Sequence, residues 1–381
     1  MNVFFDLRSL ISKIKSGIPN YTLNIFNELV KRQDNYFIFF VNSVKPQKEI
    51  ETLIKEKAKN YQIINLNVYN RVLDSSFKFL HWPSIDKIVK ADVYYSPHFN
   101  NIWFEDFSKY ILTVHDLSVL NKNFFSWRKN LWHWSQNYKM LINKSRFIIT
   151  VSEFTRQSVL NSFKINEDKV ITIHSGIDKF FYQLDSNDKN LLNFKHQYNL
   201  NKFILFVGTL EPRKNITTLI DAFNIIKQQP QFKDLKLVIV GGYGWLYEDI
   251  LKKISQSNFH NDIIKWGYAN KLDLLYLYNL AQVFVLPSWY EGFGFPVLEA
   301  QACGTPVIAS NTSSLPEIIN GSGILFNPNF SEELANALIN VLINESLCKN
   351  MIQNGFQNIK RFDWSTTVDK VLNLFYKVAN D

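Results

Sequence analysis

Two glutamates, Glu291 and Glu299, stand in the run Pro287-Ser288-Trp289-Tyr290-Glu291-Gly292-Phe293-Gly294-Phe295-Pro296-Val297-Leu298-Glu299-Ala300. An ionised carboxylate accepts two O–H donors at once, so a pair of them can hold vicinal hydroxyls. The apolar run Val283 to Leu286 reads as a buried strand, Gly292 and Gly294 as a turn at its carboxyl end, and Pro296 as the first helical residue beyond. N–H groups at such a helix start favour an anion, with Glu291 entering from the loop and Glu299 from the first helical turn. A carboxylate beside a phosphate repels it, so the glutamates must face another part of the same ligand. Ribose and hexose hydroxyls next to phosphate make that ligand a nucleotide sugar. Taken singly, either glutamate equally fits a solvated loop or helix N-terminus, where acids are favoured anyway.

Other residues could complete the chemistry. Arg213 and Lys214 follow the strand-like run Phe203 to Val207. Arginine can fork two phosphate oxygens and lysine can neutralise a point charge, so together they can replace a divalent metal, and the chain has no Asp-x-Asp metal motif. A basic loop on a solvated face is the plainer alternative. His115 and Asp116 end the run Tyr110 to Val114, where a histidine is well placed for function; Asp116 either orients the ring or caps the next helix. Gly17, in Ser16-Gly17-Ile18-Pro19-Asn20-Tyr21, opens a helix after the first strand and fits a donor-phosphate or acceptor contact nearly as well as a plain turn.

The segment Pro287 to Glu317, with Ala302-Cys303-Gly304-Thr305-Pro306-Val307 and Leu315-Pro316-Glu317, resembles the donor-binding signature of retaining glycosyltransferase family 4. Phe206-Val207-Gly208-Thr209-Leu210-Glu211-Pro212-Arg213-Lys214-Asn215 is similar to that family's diphosphate-binding strand and loop. Val114-His115-Asp116-Leu117-Ser118, Val151-Ser152-Glu153-Phe154-Thr155 and His174-Ser175-Gly176-Ile177-Asp178 are similar to its amino-domain markers. The resemblance implies the GT-B fold: α/β, two facing Rossmann-like doubly wound domains with a cleft between them. It also implies Glu291 on the transferred sugar, Glu299 on the ribose, Arg213 and Lys214 on the diphosphate, and His115 beside the scissile bond. Gly292, Phe293, Gly294, Phe295, Val297 and Leu298 would line the donor, and Tyr268, in Gly267-Tyr268-Ala269-Asn270, would lie in the loop that reads the base through its backbone. No metal and no cofactor are expected. Retention with no obvious carboxylate nucleophile favours a front-face route, in which the departing phosphate deprotonates the acceptor, over a glycosyl-enzyme. The motifs are most similar to those of bacterial mannosyl- and rhamnosyltransferases of surface polysaccharide assembly, which makes GDP-mannose the first donor expected and a UDP-hexose the second, with a glycan or lipid-linked acceptor. A GT-B sugar-nucleotide epimerase is the neighbouring alternative.

Composition excludes other classes. At 381 residues and 46% hydrophobic, the chain can fill two cores. It lacks an uninterrupted apolar run of membrane-spanning length and a signal-peptide order at Met1-Asn2-Val3-Phe4-Phe5-Asp6-Leu7-Arg8, so a cytoplasmic location is expected. Cys303 and Cys348 are too few for a zinc site. No Gly-x-Gly-x-x-Gly follows the first strand of either half, which argues against a dinucleotide oxidoreductase. Residues 1–180 hold 25 Lys+Arg against 16 Asp+Glu, a net +9, while 181–381 hold 17 against 18. That asymmetry suits an anionic membrane or a phosphate-bearing substrate, and without a nucleic-acid motif no nucleic-acid partner is expected. The aromatic and basic stretch Phe124 to Trp134 suits insertion at the inner face of a membrane, or equally a core helix.

Apolar runs alternating with helix-like stretches, Asn2 to Leu7 through Val170 to His174 and Phe203 to Val207 through Val307 to Ser310, predict two parallel sheets with helices on both faces. We expect an acceptor-binding domain over 1–180, a linker over 181–201, a donor domain over 202–364, and a terminal helix over 365–381 that crosses back to the amino domain.

Overall fold

The computed structural model describes residues 1–11, 17–32, 34–121 and 137–381; Phe124 to Trp134 lie outside them. The described residues of Met1–Leu117, Trp127–Gly176 and Asp363–Asp381 form one compact unit, and those of Ser118–Ser126 and Ile177–Phe362 a second.

The first unit is built on seven strands, β1 (Asn2–Asp6), β2 (Tyr36–Phe40), β3 (Tyr61–Ile64), β4 (Val93–Ser96), β5 (Tyr110–Val114), β6 (Phe147–Thr150) and β7 (Val170–Thr172). They lie in the order β3-β2-β1-β4-β5-β6-β7, with every pairing parallel. A parallel sheet covered on both faces needs apolar side chains on both, so its inner strands read as continuous runs. Phe4 and Phe5 therefore point to opposite faces and both are fully buried. Phe4 packs on Phe40 and Tyr94, and Phe5 on Phe39 and Tyr95.

The second unit repeats the plan with β8 (Phe203–Val207), β9 (Lys236–Val240), β10 (Ile263–Gly267), β11 (Val283–Leu286), β12 (Val307–Ser310) and β13 (Ile324–Phe326), ordered β10-β9-β8-β11-β12-β13 and again parallel. The last strand is absent from the sequence reading: three residues after Gly323 carry too little pattern. In each sheet the chain first builds outward on one side and then restarts on the other, at β1/β4 and at β8/β11. Ligands of open α/β sheets bind outside the strand ends at such a reversal.

Two segments differ in detail from the sequence reading. Residues 181–201 contain a helix, α1 (Lys189–Gln197), started by the Asp188 side chain accepting from the Leu191 N–H. Its Phe194 packs against Trp266 and Tyr276, contacts between residues too distant in sequence for periodicity to reveal. The terminal helix α2 (Trp364–Asn380) buries Val368, Val371, Leu372 and Phe375 within the first unit, with Phe375 against Tyr95 and Trp364 against Tyr21. Among the described residues no helix is long and apolar enough to cross a membrane.

Candidate functional site

At the reversal in the second sheet, the loop after β8 carries Arg213 and Lys214, and the loop after β11 carries Glu291. The loops are joined through backbone, the Trp289 N–H donating to the Arg213 carbonyl at 2.9 Å. Glu291 receives Lys214 Nζ on Oε1 at 2.5 Å, Ser288 Oγ on the same oxygen at 2.7 Å, and Arg213 Nη1 on Oε2 at 3.2 Å. Arg213 also reaches the Tyr290 carbonyl at 2.6 Å and Glu211 at 2.7 Å. Burial alone would raise the Glu291 carboxyl, but Lys214 and then Arg213 overcome it and hold it at about 2. Glu291 is thus ionised at any physiological pH. Glu211 and Glu291 cancel the two cations, so the loop pair is electrically balanced, where separate anion-binding and hydroxyl-binding patches were expected from sequence.

The glutamate loop is fixed from behind. Ser314 Oγ donates to the carbonyls of Glu291 and Phe293, and Ser313 Oγ accepts the Glu291 N–H. Gly294, at φ +112°, starts the helix α3 (Phe295–Ala302) from a backbone conformation that side chains resist. Three expectations change here. The helix begins at Phe295, with Pro296 second, and Glu299 falls in the second turn. Val297 and Leu298 are fully buried core residues, and the Val297 N–H is committed to the Gly294 carbonyl. Since Pro296 has no N–H, an amide cradle can be built only from residues ahead of it. Phe293 is buried on Phe295 and Phe362, and Gly292 is buried beside it.

Glu299 is set apart from the cations. It is half-buried and accepts from Tyr278 Oη at 2.8 Å. Burial raises its carboxyl to about 7; the Tyr278 bond opposes that, and negative Asp178 adds to it. The two glutamates therefore differ in charge state, one a strong acid and one poised near neutrality. Tyr278, on the helix Lys271–Leu280, was not singled out from sequence, where it looks like one more apolar-face tyrosine. Tyr268 stands 72% exposed just past Gly267, at the end of β10.

The loops after β8, β9 and β10 are laced together. The Gly208 N–H donates to the Val240 carbonyl, the Gly241 N–H to the Gly267 carbonyl, and the Leu210 N–H to the Gly242 carbonyl. Backbone approaches backbone so closely that a Cβ on Gly241, at φ +150°, would lie 1.9 Å from the Gly208 carbonyl oxygen. Gly241 thus has no room for a side chain, and this lacing fixes the start of the loop that carries Arg213 and Lys214.

In the first unit, His115 follows β5, with Nε2 2.8 Å from the Pro97 carbonyl and its ring edge-on to Tyr21 at 4.7 Å. A carbonyl only accepts, so Nε2 carries the proton and Nδ1 holds the lone pair. Burial lowers the ring's pKa, which keeps it neutral. Gly17 opens the helix Gly17–Leu29, and among the described residues a Cβ there would meet nothing within 4 Å. Neither close packing nor a left-handed backbone requires a glycine at that position. The remaining markers hold structure together. Ser152 caps the helix Glu153–Ser162, the Thr155 hydroxyl donates to the His115 carbonyl, and Gly176 sits where a Cβ would lie 2.3 Å from the Trp364 nitrogen of α2.

Two parallel-sheet Rossmann-like units, each with an open reversal of strand order, are the architecture of the GT-B class. Comparison with known proteins makes this specific. Residues 15–179 match the glycosyltransferase family 4 model and 188–358 the glycosyl transferases group 1 model. The chain belongs to the family 4 glycosyltransferases and is a glycosyltransferase. It is 26% identical over 370 residues to the O-antigen chain mannosyltransferase B of Escherichia coli, across 94% of this chain and 96% of that one. It is 28% identical over 273 residues to the serotype-specific mannosyltransferase WbdA of the same organism, spanning 71% of this chain but only 34% of WbdA. Among solved structures, HepE of Anabaena, in complex with UDP and glucose, superposes with a TM-score of 0.72 at 20% identity, over 99% of this chain and all of that one.

Proposed function

We propose that the protein transfers mannose from GDP-mannose to a glycan or lipid-linked acceptor, with retention of configuration and without a metal. The observation that carries this reading is the Arg213–Lys214–Glu291 cluster at the reversal of the second sheet. When the donor diphosphate arrives, its oxygens compete with Glu291 for both cations. Freed of them, Glu291 can accept the hydroxyls of the transferred sugar, while Glu299 takes the ribose. As the sugar–phosphate bond breaks, charge grows on the diphosphate, and Arg213 and Lys214 stabilise it in place of a metal ion. Engaged with the hydroxyls of the transferred sugar, Glu291 is not free to attack the anomeric carbon, which supports a front-face route in which the leaving phosphate takes the acceptor proton. Neutral His115 would offer its Nδ1 lone pair to a hydroxyl of the sugar, and the Tyr268 loop would take the base.

The choice of mannose is supported by the likeness to the two Escherichia coli mannosyltransferases. A UDP-hexose is the second reading, favoured by the UDP and glucose bound to HepE. Turnover measured across GDP- and UDP-sugars in excess EDTA separates them: we expect GDP-mannose to be consumed at an undiminished rate, and activity with UDP-sugars alone would overturn the donor assignment. The acceptor is read as membrane-held because the basic excess, +9, is confined to residues 1–180.

A further inference from the structure

Resting on that reading of a membrane-held acceptor, we propose that the segment Tyr69 to Trp82 of the first unit is the surface that enters the headgroup layer of an anionic bilayer. Four of the five most exposed large hydrophobic side chains among the described residues lie in these fourteen positions: Leu80 at 72%, Tyr69 at 69%, and Phe79 and Trp82 at 67%. Their exposure is not slack packing. The segment is helical from Asn70 to Leu80, its last turn widened into a π-helix over Ser76–Leu80, and it buries Leu73 and Phe77 almost completely. Leu73 and Phe77 are one turn apart and anchor the inner face, while Val72 and Phe79, seven residues apart, share the outer one. His81, in the left-handed region at φ 54°, ends the helix, and Ser76 Oγ donates to the Trp82 carbonyl across the turn. The apolar tips are thus displayed by a braced element, and a soluble surface rarely groups so many large apolar side chains without a use for them.

The charges around this face select the occupant. Between residues 69 and 90 every exposed charged side chain is basic: Arg71, Lys87 and Lys90. The two carboxylates of the stretch are turned inward, Asp74 half-buried beside Arg8 and Asp86 buried on Ser84 and the amides of Glu105 and Asp106. Glu105, paired with Lys87, and its neighbour Asp106 are the exposed acids at the margin. Lys78 lies over the Phe79 ring at 5.3 Å, and Lys144 over Trp103, which stacks on His81. Aromatic and aliphatic tips framed by bases match the boundary between anionic headgroups and acyl chains. A second copy of this chain is a poor match, because a two-fold contact would set Arg71 and Lys78 against their own images.

Vesicle sedimentation tests this, using phosphatidylcholine with a rising share of phosphatidylglycerol at low and high salt. The wild type should bind more with phosphatidylglycerol and less with salt. The variant Phe79→Ser/Leu80→Ser/Trp82→Ser should lose about tenfold or more in partitioning, roughly what three apolar tips contribute, while keeping its melting temperature and its rate of donor hydrolysis. Arg71→Gln/Lys78→Gln should flatten the salt dependence. Should the triple variant fold poorly, quenching of tryptophan emission by brominated phospholipid, reduced in Trp82→Phe, gives the same answer without losing apolar surface. If wild type and triple variant bind equally, this surface is wrong and the membrane-held acceptor stands on another face. Wild type that binds no vesicle removes both readings. A concentration-dependent dimer abolished by the triple variant would assign the surface to a second copy instead.

Discussion

Glu291 Oε1 lies 2.5 Å from Lys214 Nζ, so the residue expected to hold the sugar and one of those expected to hold the diphosphate are bonded to each other. With Arg213 on the other oxygen, the cluster is a closed charge network, which on the proposed reading the donor must open. On that reading, its affinity for phosphate is set by competition with a neighbouring carboxylate as well as by the cations.

Glu291→Gln should therefore leave affinity for a free nucleoside diphosphate unchanged or higher, since both cations lose their competitor. Turnover should fall roughly tenfold to a hundredfold, the size of one charge-assisted hydrogen bond to the sugar. Calorimetry and initial rates measure the two; weakened nucleotide binding would place Glu291 on the nucleotide instead.

With Glu299 on the ribose, as proposed, nucleotide affinity should depend on pH. The Glu299 carboxyl sits near 7, and the ionised form is the one that accepts two ribose hydroxyls, so affinity should rise between about pH 6 and 8 and be flat in Glu299→Gln. Stability runs the other way. A carboxyl raised above its ordinary value is most stabilising when protonated, and that contribution is lost as pH climbs from about 4.5 through 7. Titrating both quantities on one preparation separates them.

Tyr278→Phe removes the hydroxyl that donates to Glu299. The carboxyl should move higher still, carrying the midpoint of nucleotide binding upward in pH, at a stability cost of about 1 kcal/mol. An unmoved midpoint would show that the Tyr278 bond does not tune this group.

Gly241→Ala and Gly17→Ala form a contrasting pair. The first puts a methyl 1.9 Å from the Gly208 carbonyl oxygen and should cost roughly 2 kcal/mol or more, with loss of donor turnover, because the Arg213 loop is displaced with it. The second meets nothing among the described residues and should lie within about 0.5 kcal/mol of wild type. Thermal unfolding with and without nucleotide reads both.

The strands were legible because both-face burial writes them as unbroken apolar runs, and the family motifs brought out Arg213, Lys214, Glu291 and Glu299. What sequence could not carry was partnership. That Glu291 is bonded to Lys214, that Tyr278 serves Glu299, or that Ser313 and Ser314 brace the loop depends on residues far apart in the chain, with no periodicity to announce them. The helix Lys189–Gln197 was missed for a related reason: its apolar stripe is only Leu191 and Phe194, set in polar sequence that reads as a linker.

The helix α2 closes the first unit with the last residues of the chain, whereas Ile177–Phe362 supply nearly all of the second unit without interruption. On a ribosome, domains fold as they emerge, earliest first. Here the order is inverted: the later-made unit has its full complement of residues before the earlier one, whose faces around Tyr95 and Tyr21 must wait for Phe375 and Trp364. Until then a half-covered aromatic core is exposed to the cell, and removing even the final helix would leave it so permanently.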